Sequence, residues 1–280
     1  MPGPVHVTTW RPAAPERRAA VPAIFAHGVF TWGDDAAYGF AAQRPLADER
    51  RLLLVDRRGY GRSPDTDRSD FDTDADDLVV LLDACPDGAH LVGHSNGGLA
   101  AMLAAARRPG AVRSLALIQP SALRAAANHP AVRDLLARVD AAPGAGPPDL
   151  DPAEFLRLST EGVGMAMPEP TPERLRAVRT SMRERPVWEA DPPLEPLAAA
   201  PWPALVITGT WAGAPEAYRR YAGEPLLACA DAVADRIGAR RLRVPGYYPH
   251  TQHPAEVNAA LRALWGGQAA TGAGSADSSA

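Results

Sequence analysis

The sequence contains no lysine, because all 29 of its basic residues are arginine. This absence excludes a lysine Schiff base, a lysine general base and the phosphate-binding lysine of a P-loop. An all-arginine chain with abundant alanine, proline and glycine is typical of a GC-rich bacterial genome, so we expect a bacterial protein.

Several other features are scarce or missing. The two cysteines, Cys85 and Cys229, lie far apart in apolar helical patterns, which predicts buried thiols rather than a disulfide.

No apolar run approaches about eighteen residues and no leader pattern opens the chain, so the sequence predicts a cytoplasmic protein with no membrane partner. The net charge of -4 provides no field to attract nucleic acid. His250 and His253 have no recognisable carboxylate or cysteine partner nearby, so we expect no metal and no cofactor. The oligomeric state stays open.

Short apolar runs alternate with helical patterns along most of the chain, and this alternation predicts an α/β fold. Fully apolar strands separated by helices are typical of a mostly parallel central sheet with helices on both faces. The expected strands are Ala23–Ala26, Leu52–Val55, His90–Val92, Leu115–Ile118, Leu205–Thr208 and Leu242–Val244. The expected helices between them are Ala75–Asp83, Gly97–Arg107, Leu226–Ile237 and Glu256–Leu264.

One long interval breaks this alternation. Residues 121–200 show no strand pattern, only expected helices at Ala131–Asp140, Pro152–Leu158 and Thr171–Arg185 among proline-rich breaks. We therefore predict a core formed by residues 1–120 and 201–265, with residues 121–200 inserted as a helical cap. The Gly-, Ala- and Ser-rich residues 266–280 have no apolar face to bury and are expected to be a disordered tail.

The clearest chemical motif is Gly93-His94-Ser95-Asn96-Gly97, which joins an apolar strand to a helix. A serine between two such glycines is held in a strained conformation at a sharp turn. Side chains at positions 93 and 97 would collide with the neighbouring strand and helix. The helix that follows Ser95 places a partial positive charge where an oxyanion could develop.

The motif resembles the nucleophile elbow of the α/β-hydrolase family, and two further segments support the resemblance. Phe25-Ala26-His27-Gly28 resembles the strand-to-loop segment that supplies half of the oxyanion hole, which implies that the backbone N–H groups of Val29 and Asn96 are the two donors. Asp56-Arg57-Arg58-Gly59-Tyr60-Gly61-Arg62-Ser63 resembles a loop that is structural in most members. The resemblance covers roughly residues 20–265 and implies the fold rather than a particular substrate.

The sequence departs from the family at the two other members of the catalytic triad. The usual position of the acid holds Ala212, and the other place where relatives carry an acid reads Leu117-Ile118-Gln119-Pro120-Ser121, without a carboxylate. The usual position of the histidine holds Tyr247, while His250 follows three residues later. A serine hydroxyl is a weak nucleophile without a base, and removing a triad member typically costs on the order of 10⁴ to 10⁶ in turnover.

Three hypotheses follow from these departures. The first is an enzyme with non-standard, non-hydrolytic chemistry (elimination, cyclisation or rearrangement) in which Ser95, Tyr247 and the oxyanion amides polarise a substrate. The second is a serine esterase, thioesterase or lactonase that uses His250 as a displaced base. The third is a ligand-binding protein that keeps the pocket without the chemistry. In each case the expected ligand is a small apolar molecule, as in bacterial secondary metabolism, and the residues expected to contact it are Phe30, Trp32, Met165, Met167, Trp188 and Trp211.

Overall fold

The computed structural model describes residues 3–140 and 149–266 and contains a sheet of seven strands. The strands run in the spatial order β1-β3-β2-β4-β5-β6-β7, and only β1 is antiparallel to its neighbour. They are β1 Val7–Trp10, β2 Ala23–Ala26, β3 Leu52–Val55, β4 Ala89–His94, β5 Val112–Ile118, β6 Ala204–Gly209 and β7 Arg240–Val244. The predicted mostly parallel sheet is therefore confirmed.

Helices connect the parallel strands, as the alternating pattern predicts. They are α1 Phe71–Asp83, α2 Asn96–Arg107, α3 Pro130–Asp140, α4 Pro152–Thr160, α5 Pro172–Met182, α6 Leu194–Ala198, α7 Glu216–Tyr218, α8 Glu224–Ile237, α9 Pro249–Gln252 and α10 Pro254–Gly266. A π-helical turn, Arg219–Gly223, joins α7 to α8. Short 3-10 helices occur at Pro15–Ala19, Ala41–Asp48, Pro109–Ala111, Leu123–Ala126, Glu161–Val163 and Val187–Glu189.

The sequence pattern locates these elements well but misplaces some of their ends. Helix α1 begins four residues before its predicted start, because the Asp70 side chain accepts the N–H of Asp72 and caps the first turn. Helix α5 begins one residue late because Thr171 is its N-cap, and it ends at Met182 rather than at Arg185. Strand β1 has no predicted counterpart, because it is short and half-buried at the edge of the sheet.

The sheet is buried on both faces. On one face α1, α2 and α8 pack against side chains such as Ile24, Leu91 and Leu115. On the other face α10 and the 3-10 helix at Ala41–Asp48 cover Phe25 and alternate side chains of the same strands. This two-sided burial explains why the parallel strands read as continuous apolar runs instead of alternating polar and apolar residues.

The segment between β5 and β6 contains only helices among its described residues. The division of the chain into a core and a cap stays a prediction. Of the predicted tail 266–280, Gly266 ends α10, and the remainder lies outside the described residues. Within residues 3–140 and 149–266, no helix combines the length and apolar character needed to cross a bilayer.

A buried ionic cluster connects the β3–α1 loop to the end of α5. The Arg57 guanidinium is 2% exposed and contacts carboxylate oxygens of Asp74 at 2.7 Å and Glu184 at 2.5 Å. Arg57 also donates to the Gly28 carbonyl at 3.0 Å, next to the expected oxyanion segment. Burial raises the pKa of Asp74 to about 6, although Arg57 opposes the shift. The cluster supports the structural role expected for this loop.

We expect Arg57→Leu to lower the free energy of unfolding by about 3–5 kcal/mol, because it leaves the buried carboxylates without their partner. Asp74→Asn should cost less than about 1.5 kcal/mol, because one Asp74 oxygen already lacks a partner and asparagine still offers an acceptor to Arg57. Urea unfolding at pH 7 measures both variants. Equal losses in the two would contradict the central role of Arg57.

Candidate active site

The carboxyl ends of the parallel strands meet at one edge of the sheet and bring the candidate residues together. In the strand register Ala26 pairs with Gly93, His94 with Ile118, and Gly209 with Val244. The residues that follow these strands therefore share one crevice, which is where open α/β sheets bind ligands.

Ser95 occupies the sharp turn between β4 and α2. Its φ of 52° and ψ of -120° lie outside the regions that side-chain-bearing residues ordinarily adopt. A Cβ at Gly97 would lie 2.3 Å from the Ala26 carbonyl oxygen, and a Cβ at Gly93 would lie 2.5 Å from the Gly97 carbonyl oxygen. The two glycines are thus needed for close backbone contact, as the motif predicts.

The structure places the expected oxyanion donors beside this turn. Among the residues that the structure describes, the backbone N–H groups of Val29 and Asn96 have no hydrogen-bond partner. The next residue, Phe30, has a positive φ of 61°, and its N–H donates to Ser181 Oγ at 3.1 Å. The Arg174 guanidinium donates to the Phe30 carbonyl. Helix α5 therefore fixes the loop that carries the Val29 donor.

The Ser95 hydroxyl has a hydroxyl partner instead of an imidazole. Its Oγ lies 3.0 Å from Ser121 Oγ and 3.5 Å from the Asn96 amide oxygen. All seven histidines belong to the parts of the chain that the structure describes, and none forms a hydrogen bond with Ser95. Ser121 is 6% exposed and follows β5, and its backbone N–H also donates to the Ser95 carbonyl.

His250, expected as a displaced base, forms no hydrogen bond with the Ser95 hydroxyl in this structure, so that role stays a prediction. Its ring is fully buried, and its Nε2 donates to the Tyr38 carbonyl at 3.1 Å. The ring of His94 lies 4.3 Å from that of His250, measured between centroids. Burial lowers the pKa of His250 to about 4, and burial together with the neighbouring His250 lowers the pKa of His94 well below its usual value.

A glutamine at the end of β5 connects to the residues that follow β6 and β7. Gln119 Oε1 accepts the Gly209 N–H at 3.1 Å and the Trp211 Nε1–H at 3.0 Å, while its Nε2 donates to the Tyr247 carbonyl at 3.0 Å. Ala212, at the expected acid position, is exposed. The ends of β5, β6 and β7 are therefore connected by neutral hydrogen bonds.

One sequence signal points to this role of Gln119. It stands after β5, at the second of the two places where relatives carry an acid.

A cavity of about 230 Å³ opens at this crevice. It is lined by Val29, Phe30, Tyr38, His94, Ser95, Gln119, Ser159, Thr160, Met165, Trp211, Tyr218, Ala222, Leu226 and Tyr248. Among these described residues none carries a carboxylate or a guanidinium.

Half of the residues expected to contact a ligand lie in this cavity. Phe30, Met165 and Trp211 line it, whereas Met167, Trp32 and Trp188 do not. The Trp32 ring instead lies under the Arg174 guanidinium at 4.7 Å. Trp188 packs against the cluster around Leu123 and Cys229 beneath the inserted helices.

Tyr248, rather than Tyr247, is the tyrosine of the β7–α9 turn that lines the cavity. Tyr247 lies to one side, with its ring centroid 6.1 Å from Trp211 and 5.7 Å from Tyr248. The turn is fixed by Gln252, whose side-chain oxygen accepts both tyrosine N–H groups. Tyr247 therefore does not line this cavity, and its role toward a substrate stays a prediction.

Comparison with known proteins agrees with the fold. A family model described as "Alpha/beta hydrolase family" matches residues 23–260. The chain belongs to the alpha/beta hydrolase family.

Among curated relatives, this hydrolase-family chain is 35% identical to "Lipase LipV" of Mycobacterium tuberculosis over 151 residues, which cover 54% of this chain and 52% of that protein. It is 34% identical to "Pimeloyl-[acyl-carrier protein] methyl ester esterase" of Aeromonas salmonicida over 100 residues, covering 35% of this chain and 37% of the esterase. The chain therefore spans about half or less of these relatives. A hydrolase from Pseudomonas aeruginosa PA01 has a similar structure, with a TM-score of 0.61, 22% identity and coverage of 94% of each chain.

We expect the reaction of Ser95 with a phosphonylating probe to show no plateau around neutral pH. An imidazole base with a pKa near 7 gives a sigmoidal rate that levels off above that pKa. Because neither His94 nor His250 forms a hydrogen bond with the hydroxyl, we expect hydroxide to take the proton, and the rate should rise about tenfold per pH unit from pH 7 to 9.

Labelling rates between pH 5.5 and 9 at constant ionic strength measure this profile, with Ser95→Ala as the background control. A midpoint close to pH 7 that disappears in His94→Ala or His250→Ala would contradict the expectation.

Proposed function

We propose that this hydrolase-family chain is an enzyme acting on a small, uncharged, largely apolar carbonyl compound, and that it polarises this carbonyl without transferring an acyl group through a histidine-activated serine. The reaction class is elimination, cyclisation or rearrangement. The observation that supports the proposal is the set of hydrogen bonds around Gln119, which connects the ends of β5, β6 and β7 through neutral groups.

The polarising groups retain their positions even though the triad has changed. The N–H groups of Val29 and Asn96 are unpaired among the described residues, and the start of α2 adds a partial positive charge beside them. A hydrogen bond joins the hydroxyls of Ser95 and Ser121, and either one can be its donor. When Ser121 is the donor, the Ser95 hydroxyl can donate its own proton to a carbonyl oxygen of the substrate. These three donors stabilise a developing enolate or oxyanion without forming a covalent bond.

The helices between β5 and β6 contribute to the wall of the cavity in which we propose that an apolar ligand binds. Residues from α4 and the turn after it, including Thr160 and Met165, form part of the cavity wall. The Phe155 ring contacts the Phe30 ring with centroids 6.0 Å apart, which connects α4 to the oxyanion loop. We therefore propose that residues 121–200 act as a cap that excludes water from the crevice. The cytoplasmic location and the setting in bacterial metabolism stay predictions.

A serine esterase, thioesterase or lactonase is the second candidate function. The strained backbone of Ser95, its oxyanion donors and the esterase and lipase names of the curated relatives favour it. It requires a base that moves to Ser95 when substrate binds, and His94 lines the same cavity. A ligand-binding protein without chemistry is the third candidate, and it predicts binding without any product.

We expect a fluorophosphonate probe at pH 7 to label this chain at least about a hundredfold more slowly than a serine esterase with an intact triad, because no base activates Ser95. Ser95→Ala should abolish the residual labelling, and His250→Ala should leave it within about twofold. Labelling as fast as that of the esterase, lost in His94→Ala or His250→Ala, would establish the second candidate instead.

We expect Gln119→Glu combined with Tyr247→His to raise the labelling rate at least about tenfold, because an acid and an imidazole then stand at the positions where the sequence comparison expects the family's acid and histidine. Gln119→Glu combined with Tyr247→Phe is the matched control, since it introduces the same carboxylate without a base. If the wild-type chain is labelled quickly and Gln119→Glu combined with Tyr247→His slows the labelling, the present arrangement already activates the serine.

A further inference from the structure

Three tyrosine side chains form one wall of the cavity that contains Ser95. Tyr38 and Tyr248 stack with ring centroids 5.0 Å apart and an interplanar angle of 28°. Tyr218 joins them through its hydroxyl, which donates to the Tyr248 hydroxyl at 3.0 Å. All three line the cavity, and none of them is used by the polarising groups described above.

Two of these hydroxyls have a proton left to donate. Tyr248 accepts from Tyr218, so its own O–H is free for another acceptor. The Tyr38 hydroxyl has no hydrogen-bond partner among the described residues, although the backbone of Tyr38 is held at both ends, by Asp35 and by His250. A phenol donor inside a largely apolar cavity is costly to leave unpaired, so a ligand that supplies an acceptor there gains affinity.

These phenols stay neutral throughout the physiological range. Burial raises the pKa of Tyr218 to about 12 and raises the pKa of Tyr38 and of Tyr248 above the usual value. The tyrosines can therefore donate hydrogen bonds but offer no charge to a ligand. Together with Trp211 their rings make this part of the cavity lining aromatic, which suits edge or offset contact with another aromatic ring.

We propose that Tyr38 and Tyr248 bind a second oxygen of the substrate, and that the substrate is an uncharged aromatic compound carrying this acceptor in addition to the carbonyl at Val29 and Asn96. The inference rests on the proposed function for the position of the carbonyl. It extends that function by assigning the tyrosine wall as the subsite that selects oxygenated aromatic ligands over plain hydrocarbon ones.

A matched pair of ligands tests the subsite by binding alone. 2-Acetyl-6-methoxynaphthalene carries both acceptors, whereas 2-acetyl-6-ethylnaphthalene has nearly the same shape and lacks the second one. We expect the wild-type chain to bind the methoxy compound about three- to tenfold more tightly, as measured by titration calorimetry. Tyr38→Phe combined with Tyr248→Phe should remove this preference while retaining both rings.

The controls separate this proposal from the proposed function. Tyr221→Phe removes a hydroxyl outside the cavity and should keep the preference, as should Ser95→Ala, which removes the reacting hydroxyl. Each single Phe variant should lower the preference partly, so the test holds even if the double variant does not fold. No preference in the wild type, a preference that survives both phenylalanines, or no binding of either compound would overturn the subsite. The labelling experiments described above test separately whether a base activates Ser95.

Discussion

The close backbone contact at the elbow is the constraint on which the site depends. Gly97 approaches the Ala26 carbonyl so closely that no Cβ fits between them, and this contact holds the start of α2 against the end of β2. Because of it, the two oxyanion donors, one on each element, face the same crevice beside Ser95. The contact involves neither the acid nor the histidine of a triad. The N–H groups that would stabilise an oxyanion at this edge of the sheet are therefore held in position without the acid and histidine that would transfer a proton.

The two departures from the family pattern are connected in the structure. A carboxylate in place of Gln119 could still accept from Gly209 and Trp211, but it could not donate to the Tyr247 carbonyl and would place a negative charge against that oxygen. The neutral amide satisfies all three partners at once. With the amide in place, an imidazole at position 247 would have no carboxylate to orient it or to stabilise its charged form. The loss of either member thus removes the advantage of keeping the other.

Local patterns predicted the fold and half of the site, and contacts distant in the sequence account for the rest. Continuous apolar runs located the five strands β2 to β6, since burial on both faces leaves a clear signal, whereas the mostly exposed β7 was located only through Leu242–Val244. The sharp turn at Ser95 could be located because its residues are contiguous with the glycines that position them, whereas the donor role of Val29 and Asn96 stays a prediction. Ser121 and Gln119 were not assigned a role, because their partners follow other strands. Tyr248 was missed in favour of Tyr247, since the direction of each side chain depends on the turn that Gln252 closes.

The chain buries several charged side chains, but the ones described next do not line the cavity. Arg174 forms two hydrogen bonds with Asp35, at 2.7 and 2.8 Å, and also donates to the Phe30 carbonyl, while Arg57 joins the Gly28 carbonyl to the carboxylate of Glu184 at the end of α5. Both guanidiniums thus donate hydrogen bonds to carbonyls of the loop that carries Val29, and these bonds connect α5 to that loop. Their carboxylate partners neutralise them, so little net field reaches the crevice. In the proposed function, the positive potential at a substrate carbonyl would therefore come from fixed backbone donors, which suits the polarisation of a neutral molecule better than the capture of an anion.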